Sequence, residues 1–206
     1  MGFENFLPSD NKRLNSQLEF SAEIDKMTSI LRQTLLLDES RRENDAEHSW
    51  HISVMALVFE EYALEKPDVN RAVQMALVHD LVEIYAGDTF AYDVAGNSSK
   101  KQREEESADR LFSILPAEQG EKIRALWNEF DANETADSKY ANCLDCIQPF
   151  FHNTLTNGHT WKNSNPRVRR SQVEKRMQKV KDFMPEVYKW VEKNIENAVE
   201  NGWLLE

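Results

Sequence analysis

Four polar side chains fall where a chain has most reason to avoid them. The stretch Met75 to Thr89 reads MALVHDLVEIYAGDT; its helical core is apolar on nearly every side, yet it carries His79, Asp80 and Glu83. A lone buried carboxylate is costly unless it is paired or loses its charge. His48 lies one helical turn before Ile52, on the same apolar stripe, and Asp145 sits inside the apolar run KYANCLDCIQPFFHN. Two imidazoles and two carboxylates (His48, His79, Asp80 and Asp145) are a sensible ligand set for a divalent transition metal, with positions left for water or substrate. Taken singly, each has a plainer reading as a core histidine, a hydrogen-bonded pair or a helix–helix ion pair. Taken together, with Glu83 and Asp88 in phase, they point to a metal site.

The elements that must position these residues read as helices, because apolar residues recur every three or four positions and only six Gly and six Pro interrupt 206 residues. From Ser21 the spacing of Ile24, Met27, Leu31 and Leu35 predicts a helix that carries Arg32. Leu37–Arg42 reads as a polar connection. Asn44 with Glu47 has capping-box spacing and starts the next helix, whose buried stripe is Ile52, Met55, Ala56, Phe59 and Ala63. Pro67-Asp68 opens a central helix that runs to Gly87. On it, His79, Asp80 and Glu83 share an arc of roughly 100°.

Residues 88–99 read as a loop beside the site, a common place for substrate contacts. Ala108, Leu111, Phe112 and Leu115, then Ile123, Leu126, Trp127 and Phe130, mark two amphipathic helices separated by Pro116. A long buried helix follows from Thr135, with Pro149 expected to kink or interrupt it and Asn157-Gly158 to end it. A last helix is expected from Asn165-Pro166, carrying the coiled-coil-like seam Val173, Met177, Val180, Met184, Val187 and Val191. The expected architecture is all-α, a bundle of about six to eight helices forming one domain over 1–206. Its core lies at about 22–165, and 166–206 packs on that core or on a second subunit.

Composition narrows the function. With 36 acidic and 25 basic side chains the net charge is −11, which argues against a nucleic-acid or anionic-membrane surface but not against a small anionic substrate. No apolar run approaches the ~20 residues of a membrane span. MGFENFLPSDNKRL lacks both a secretory pattern and a myristoylation motif. Two cysteines make no disulfide framework, so a reducing cytoplasm is the expected setting.

The set H…HD…D, carried by RRENDAEHSWH, MALVHDLVEIYAGDT and KYANCLDCIQPFFHN, resembles the HD-domain metal-dependent phosphohydrolases, and within them the 5′-deoxynucleotidase-like branch. The resemblance covers about residues 22–165. It implies an all-helical HD domain, often a homodimer, that hydrolyses nucleoside 5′-monophosphates with one divalent ion (Co, Mn, Fe, Ni or Zn). It implies His48, His79, Asp80 and Asp145 as metal ligands. Glu83 then orients or protonates near the bound water, Asp88 contacts the nucleotide or supports the site, and Arg32 holds the phosphate. Gln33 and Thr34 follow Arg32, where members of the branch selective for deoxyribose carry a tryptophan or similar bulky group. A guanosine tetraphosphate hydrolase on the same core is disfavoured, because Ile84 follows Glu83 where those enzymes have an acid. A non-catalytic sensing module is disfavoured by the intact ligand set.

Other residues read as structure. His51 falls at the edge of the His48 stripe, as a core or supporting residue. Cys143 and Cys146 form a C-x-x-C on a buried helix with no second pair. Lys100–Glu106 reads as a solvated helix face, and Arg41-Arg42 either as helix-flanking surface or as an aid to phosphate binding. His152 and His159 read as loop or helix surface, and Trp161 as a packing anchor.

Overall fold

The computed structural model describes residues 8–206; the N-terminal MGFENFL of the sequence reading lies outside them. The described residues form ten α-helical segments and one two-stranded hairpin. Two of the helices, α4 and α8, are about one turn long, which leaves eight longer ones. In order they are α1 Lys12–Ile24, β1 Leu31–Leu35, β2 Arg42–Asn44, α2 Asp45–Ala56, α3 Val69–Val78, α4 Glu83–Ala86, α5 Val94–Phe112, α6 Ala117–Ala132, α7 Ala136–Leu155, α8 His159–Asn163, α9 Arg170–Phe183 and α10 Pro185–Glu200.

The buried centre is α7, which packs against α2, α3 and α9. Tyr140, Ala141, Cys143, Leu144, Ile147 and Phe150 of α7 join Ile52, Met75, Ala76 and Trp161 in the main core. A smaller core gathers Phe20, Leu81, Val82, Leu111, Phe112 and Trp127 from α1, α5, α6 and the α3–α4 connection. The chain passes from one core to the other between Ala76 and Leu81, and that crossing holds His79 and Asp80. The C-terminal seam packs on this chain's own core: Val173, Met177, Val180, Met184 and Val191 are almost fully buried in it.

Several elements differ from the sequence expectations. Arg32 lies on a strand, not a helix. α1 ends at Ile24, a tight turn spans Asp25–Ser29, and Leu31–Leu35 pairs antiparallel with Arg42–Asn44. Strand period decides which side chains enter: Arg32 and Thr34 are buried while Leu31 is exposed. The polar connection falls in the hairpin turn, residues 36–41, in which Asp38 accepts from the Ser40 N–H and hydroxyl, and Arg42 already belongs to β2. The central helix is broken, since α3 stops at Val78. The N–H groups of Leu81, Glu83 and Ile84 then reach only three residues back, to Val78, Asp80 and Leu81.

α5 begins at Val94 inside the expected 88–99 loop, because Asp93 caps it by accepting from the Ala95 and Gly96 N–H groups. α7 runs through Pro149 without interruption. The expected last helix is two, α9 and α10, parted at Met184-Pro185 with Pro185 at the first helical position. It starts at Arg170 rather than Asn165-Pro166, and a short α8 carrying buried Trp161 precedes it. The Asn44–Glu47 capping box is present as expected.

Candidate metal centre

α2, the α3–α4 crossing and α7 bring the four expected metal ligands together. On α2 the buried positions Asp45, His48, Ser49, Ile52 and Ala56 fall on one helical face, so the packing that buries Ile52 also buries His48. His48 is fully buried, and its Nε2 lies 3.2 Å from Asp145 Oδ1 and 4.0 Å from Asp80 Oδ2. His79 Nε2 lies 3.0 Å from Asp80 Oδ2 and 3.8 Å from Asp145 Oδ1.

The chemistry of these donors fits a divalent transition ion. Ligand atoms of His48, His79 and Asp145 all lie within 4.8 Å of one another, with Asp80 against the same two imidazoles. His79 Nδ1 donates to the Ala76 carbonyl at 2.9 Å, which leaves its Nε2 as the open nitrogen. That nitrogen is buried and, although 3.0 Å from Asp80 Oδ2, makes no hydrogen bond, a cost that a bound cation would remove. Burial, with Arg32 adding to it, lowers the His48 pKa to about 4, so its ring is neutral and able to ligate. Burial opposes ionisation of Asp80, but the neighbouring His79 and Arg32 hold its carboxyl well below the usual range. Asp145 is likewise held low against its burial, by His48 and Arg176.

Beside this centre lies a group of acids around one guanidinium. Arg32 Nη1 donates to Asp80 Oδ2 at 2.7 Å and to Asp45 Oδ1 at 3.3 Å, and its Nε is 3.9 Å from Glu43 Oε2. Arg32 is 9% exposed, so these contacts are almost unscreened. Carboxyl oxygens of Asp45, Glu83 and Asp88 lie within 4.8 Å of one another. Burial and the charges of Asp80 and Asp45 push the Glu83 carboxyl well above its ordinary range. Burial and the Asp80 charge bring Asp45 to about 7, and burial also raises Asp88. Glu83 is 3% exposed, and its Oε2 has no partner.

A cavity of about 190 Å³ opens on this group, and its lining includes His79, Asp80, Glu83, Asp88 and Asp145 together with the cations Lys100 and Arg176. Arg176 Nη2 lies 3.5 Å from Asp145 Oδ2, and Lys100 Nζ lies 3.3 Å from Glu104. A second cavity of about 560 Å³ shares Gln33, Phe90, Tyr92 and Thr160 with the first. The rings of Phe90 and Tyr92 meet edge-on at 5.2 Å.

The sequence reading missed several of these residues. Lys100 falls in the stretch that reads as a solvated helix face, and Arg176 carries no functional signal in the sequence, yet both line the cavity. His152 is buried, not on a surface, and its Nδ1 donates to the Leu35 carbonyl at 2.8 Å. Gln148 and Glu43 are buried beside it. A signal was present: Asp145, Gln148 and His152 recur at i, i+3 and i+7 on an otherwise apolar helix. Cys143 and Cys146 are free and buried, and among the described residues no cysteine joins a metal-type cluster. Arg41 pairs with Glu47 at the surface. Among the described residues no helix is long and apolar enough to cross a membrane.

The sequence pattern of the HD domain family matches residues 24–188, and the chain belongs to that family. It is 45% identical to a predicted metal-dependent phosphohydrolase from Magnetospirillum magnetotacticum whose structure has been solved, with a TM-score of 0.89 covering 98% of this chain and 100% of that one. It is 32% identical over 105 residues to the human 5′-deoxynucleotidase HDDC2, and 34% identical over 103 residues to the bovine protein of the same name. Those matches cover 51% and 50% of this chain, and the chain spans about half the length of the curated relatives it matches, 50% and 49% respectively. An HD-domain phosphohydrolase from Listeria innocua shares the fold at a TM-score of 0.58 and 17% identity, over 89% of this chain and 86% of that one.

Proposed function

We propose that this chain is a metal-dependent phosphohydrolase that releases inorganic phosphate from nucleoside or deoxynucleoside 5′-monophosphates. The observation that carries the reading is the convergence of His48, His79, Asp80 and Asp145 on one locus, with the partnerless His79 Nε2 among them. The kinship with phosphohydrolases and 5′-deoxynucleotidases supports the same reaction class.

His48, His79, Asp80 and Asp145 would hold the ion. When bound, a divalent ion there supplies a water of lowered pKa and polarises a phosphoryl oxygen. Lys100 and Arg176, which line the same cavity, offer positive charge to the remaining phosphoryl oxygens. Arg32 acts first as the counter-ion of Asp80 and Asp45, fixing their carboxylates, and as a lining residue it faces the phosphate. Glu83 keeps a proton on its buried carboxyl and gives it to the departing 5′ oxygen as the P–O bond breaks. Asp88 sits against Glu83 and lines the same cavity, where it orients the substrate. The larger cavity, with Phe90, Tyr92 and Gln33, has the aromatic faces and amide that a nucleoside would meet.

The test is phosphate release from a panel of ribo- and deoxyribonucleoside monophosphates with Co²⁺ or Mn²⁺ added after chelation. Turnover of at least one member, abolished by chelator, is expected. No turnover of any member by protein with metal bound would overturn the reading.

A further inference from the structure

His48 has two ring edges, and only one faces the metal locus. The other faces a second buried polar group made of Glu43, His51, Gln148 and His152. Ligand atoms of Glu43, His51 and His152 lie within 4.8 Å of one another, a spacing that would admit a cation. The amide of Gln148 already fills it. Gln148 Nε2 donates to Glu43 Oε1 at 2.5 Å and lies 3.2 Å from His51 Nδ1 and 3.1 Å from His152 Nε2. At the other end of the same amide, Gln148 Oε1 is 2.9 Å from His48 Nδ1. Gln148 and His48 are both fully buried.

We propose that Gln148 is a positioning residue whose amide, locked by Glu43 and His152, keeps the proton on His48 Nδ1 and so leaves His48 Nε2 free as a ligand atom. The inference rests on the reading of His48 as a metal ligand.

The orientation of the amide follows from its neighbours. Turning it over would set its oxygen against Glu43 Oε1 at 2.5 Å, two acceptors in contact wherever Glu43 is ionised; burial raises that carboxyl to about 7. His152 adds to the same preference. Its Nδ1 faces a carbonyl, which only accepts, so that nitrogen carries the proton and the neutral ring presents a lone pair at Nε2 to the Gln148 amide. With its N–H groups so directed, Gln148 must offer oxygen to His48. An oxygen at 2.9 Å from Nδ1 requires a proton there. The opposing influence is Asp145: its Oδ1, 3.2 Å from His48 Nε2, would accept a proton from that nitrogen and take it out of the ligand set. Gln148 biases the ring against that tautomer. A partner on the far nitrogen of a metal-binding histidine fixes both ring orientation and tautomer.

The test uses the full chain with 15N-labelled histidine and Zn²⁺ bound, alongside Co²⁺ titration in competition with a chelator. In the unaltered protein, long-range 1H–15N correlations are expected to show His48 protonated at Nδ1, with a downfield, slowly exchanging Hδ1. In Gln148→Leu that downfield resonance is lost and Co²⁺ affinity falls about 10- to 100-fold. Ligation of His48 through Nδ1 in the unaltered protein would overturn the proposal, and that arm needs no variant to fold. A folded Gln148→Leu with unchanged Co²⁺ affinity would overturn it as well. Either failure leaves phosphate release by the unaltered protein intact. Conversely, tight Co²⁺ binding without turnover would count against the phosphohydrolase reading and not against the role of Gln148.

Discussion

Removing Arg32 is expected to destabilise the protein strongly, and more so without metal than with it. Its guanidinium is 9% exposed and faces three buried acids: Asp80 at 2.7 Å, Asp45 at 3.3 Å and Glu43 at 3.9 Å. Breaking a buried ion pair by deleting one partner costs about 3–5 kcal/mol, because the other charge stays behind in a poor solvent. Arg32→Ala leaves the Asp80 carboxylate without its guanidinium, while Asp45, already raised to about 7 beside Arg32, can take up a proton, so a loss within that range is expected in chelator. Domains of this kind are held by about 5–15 kcal/mol in all, so the variant would be near its unfolding threshold. A divalent ion among His48, His79, Asp80 and Asp145 replaces part of the missing positive charge. Metal should therefore bind Arg32→Ala at least as tightly as the unaltered protein and recover part of its stability, while phosphate release stays depressed. Urea unfolding of both proteins, in chelator and in saturating Mn²⁺, reads all of this. A loss under about 1 kcal/mol in chelator, or a loss that Mn²⁺ fails to reduce, would refute the view of Arg32 as the counter-ion of this acidic group.

Three further outcomes are expected. Glu83→Ala should keep the bound metal, measured by elemental analysis, and lose about 10²- to 10⁴-fold in kcat, the usual worth of a positioned acid; undiminished turnover would remove Glu83 from the reaction. Arg176→Ala should raise KM for a nucleoside monophosphate about tenfold and weaken inhibition by inorganic phosphate in parallel, as loss of one charge-assisted contact of about 1.4 kcal/mol predicts. Gly158→Ala should cost about 1–3 kcal/mol in urea unfolding, because φ is +65° there and the added Cβ would press on the Trp203 side chain.

Much of the fold was legible because burial writes its period into the sequence. The α2 and α7 stripes and the capping box at Asn44 all follow from spacing. His48, His79, Asp80 and Asp145 were visible for a related reason: charge on an apolar stripe has few explanations. The hairpin was hidden because Ile24, Met27, Leu31 and Leu35 mimic a helical repeat, although a turn and a strand separate them. Leu31 is 52% exposed, so the apolar residue that suggested a core face lies outside it. The break after Val78 was hidden because His79–Val82 keep near-helical spacing while the chain passes between two cores. Arg176 and Lys100 were hidden by distance: nothing in α5 or α9 alone says that each ends beside Asp145 and Glu83. Gln148 was hidden because an uncharged amide on an apolar helix looks like ordinary packing until its four partners are seen.

The central claim is that His48, His79, Asp80 and Asp145 form one metal site, with His79, Asp80 and Asp145 lining the cavity beside it. Its most direct test is the anomalous difference map of a crystal grown with Mn²⁺ and a deoxynucleoside monophosphate. The account predicts a peak within bonding distance of His48 Nε2 and His79 Nε2, between Asp80 and Asp145, with the phosphate lying between that peak and Arg176. A fully occupied Mn²⁺ peak elsewhere, with this locus empty, would contradict it.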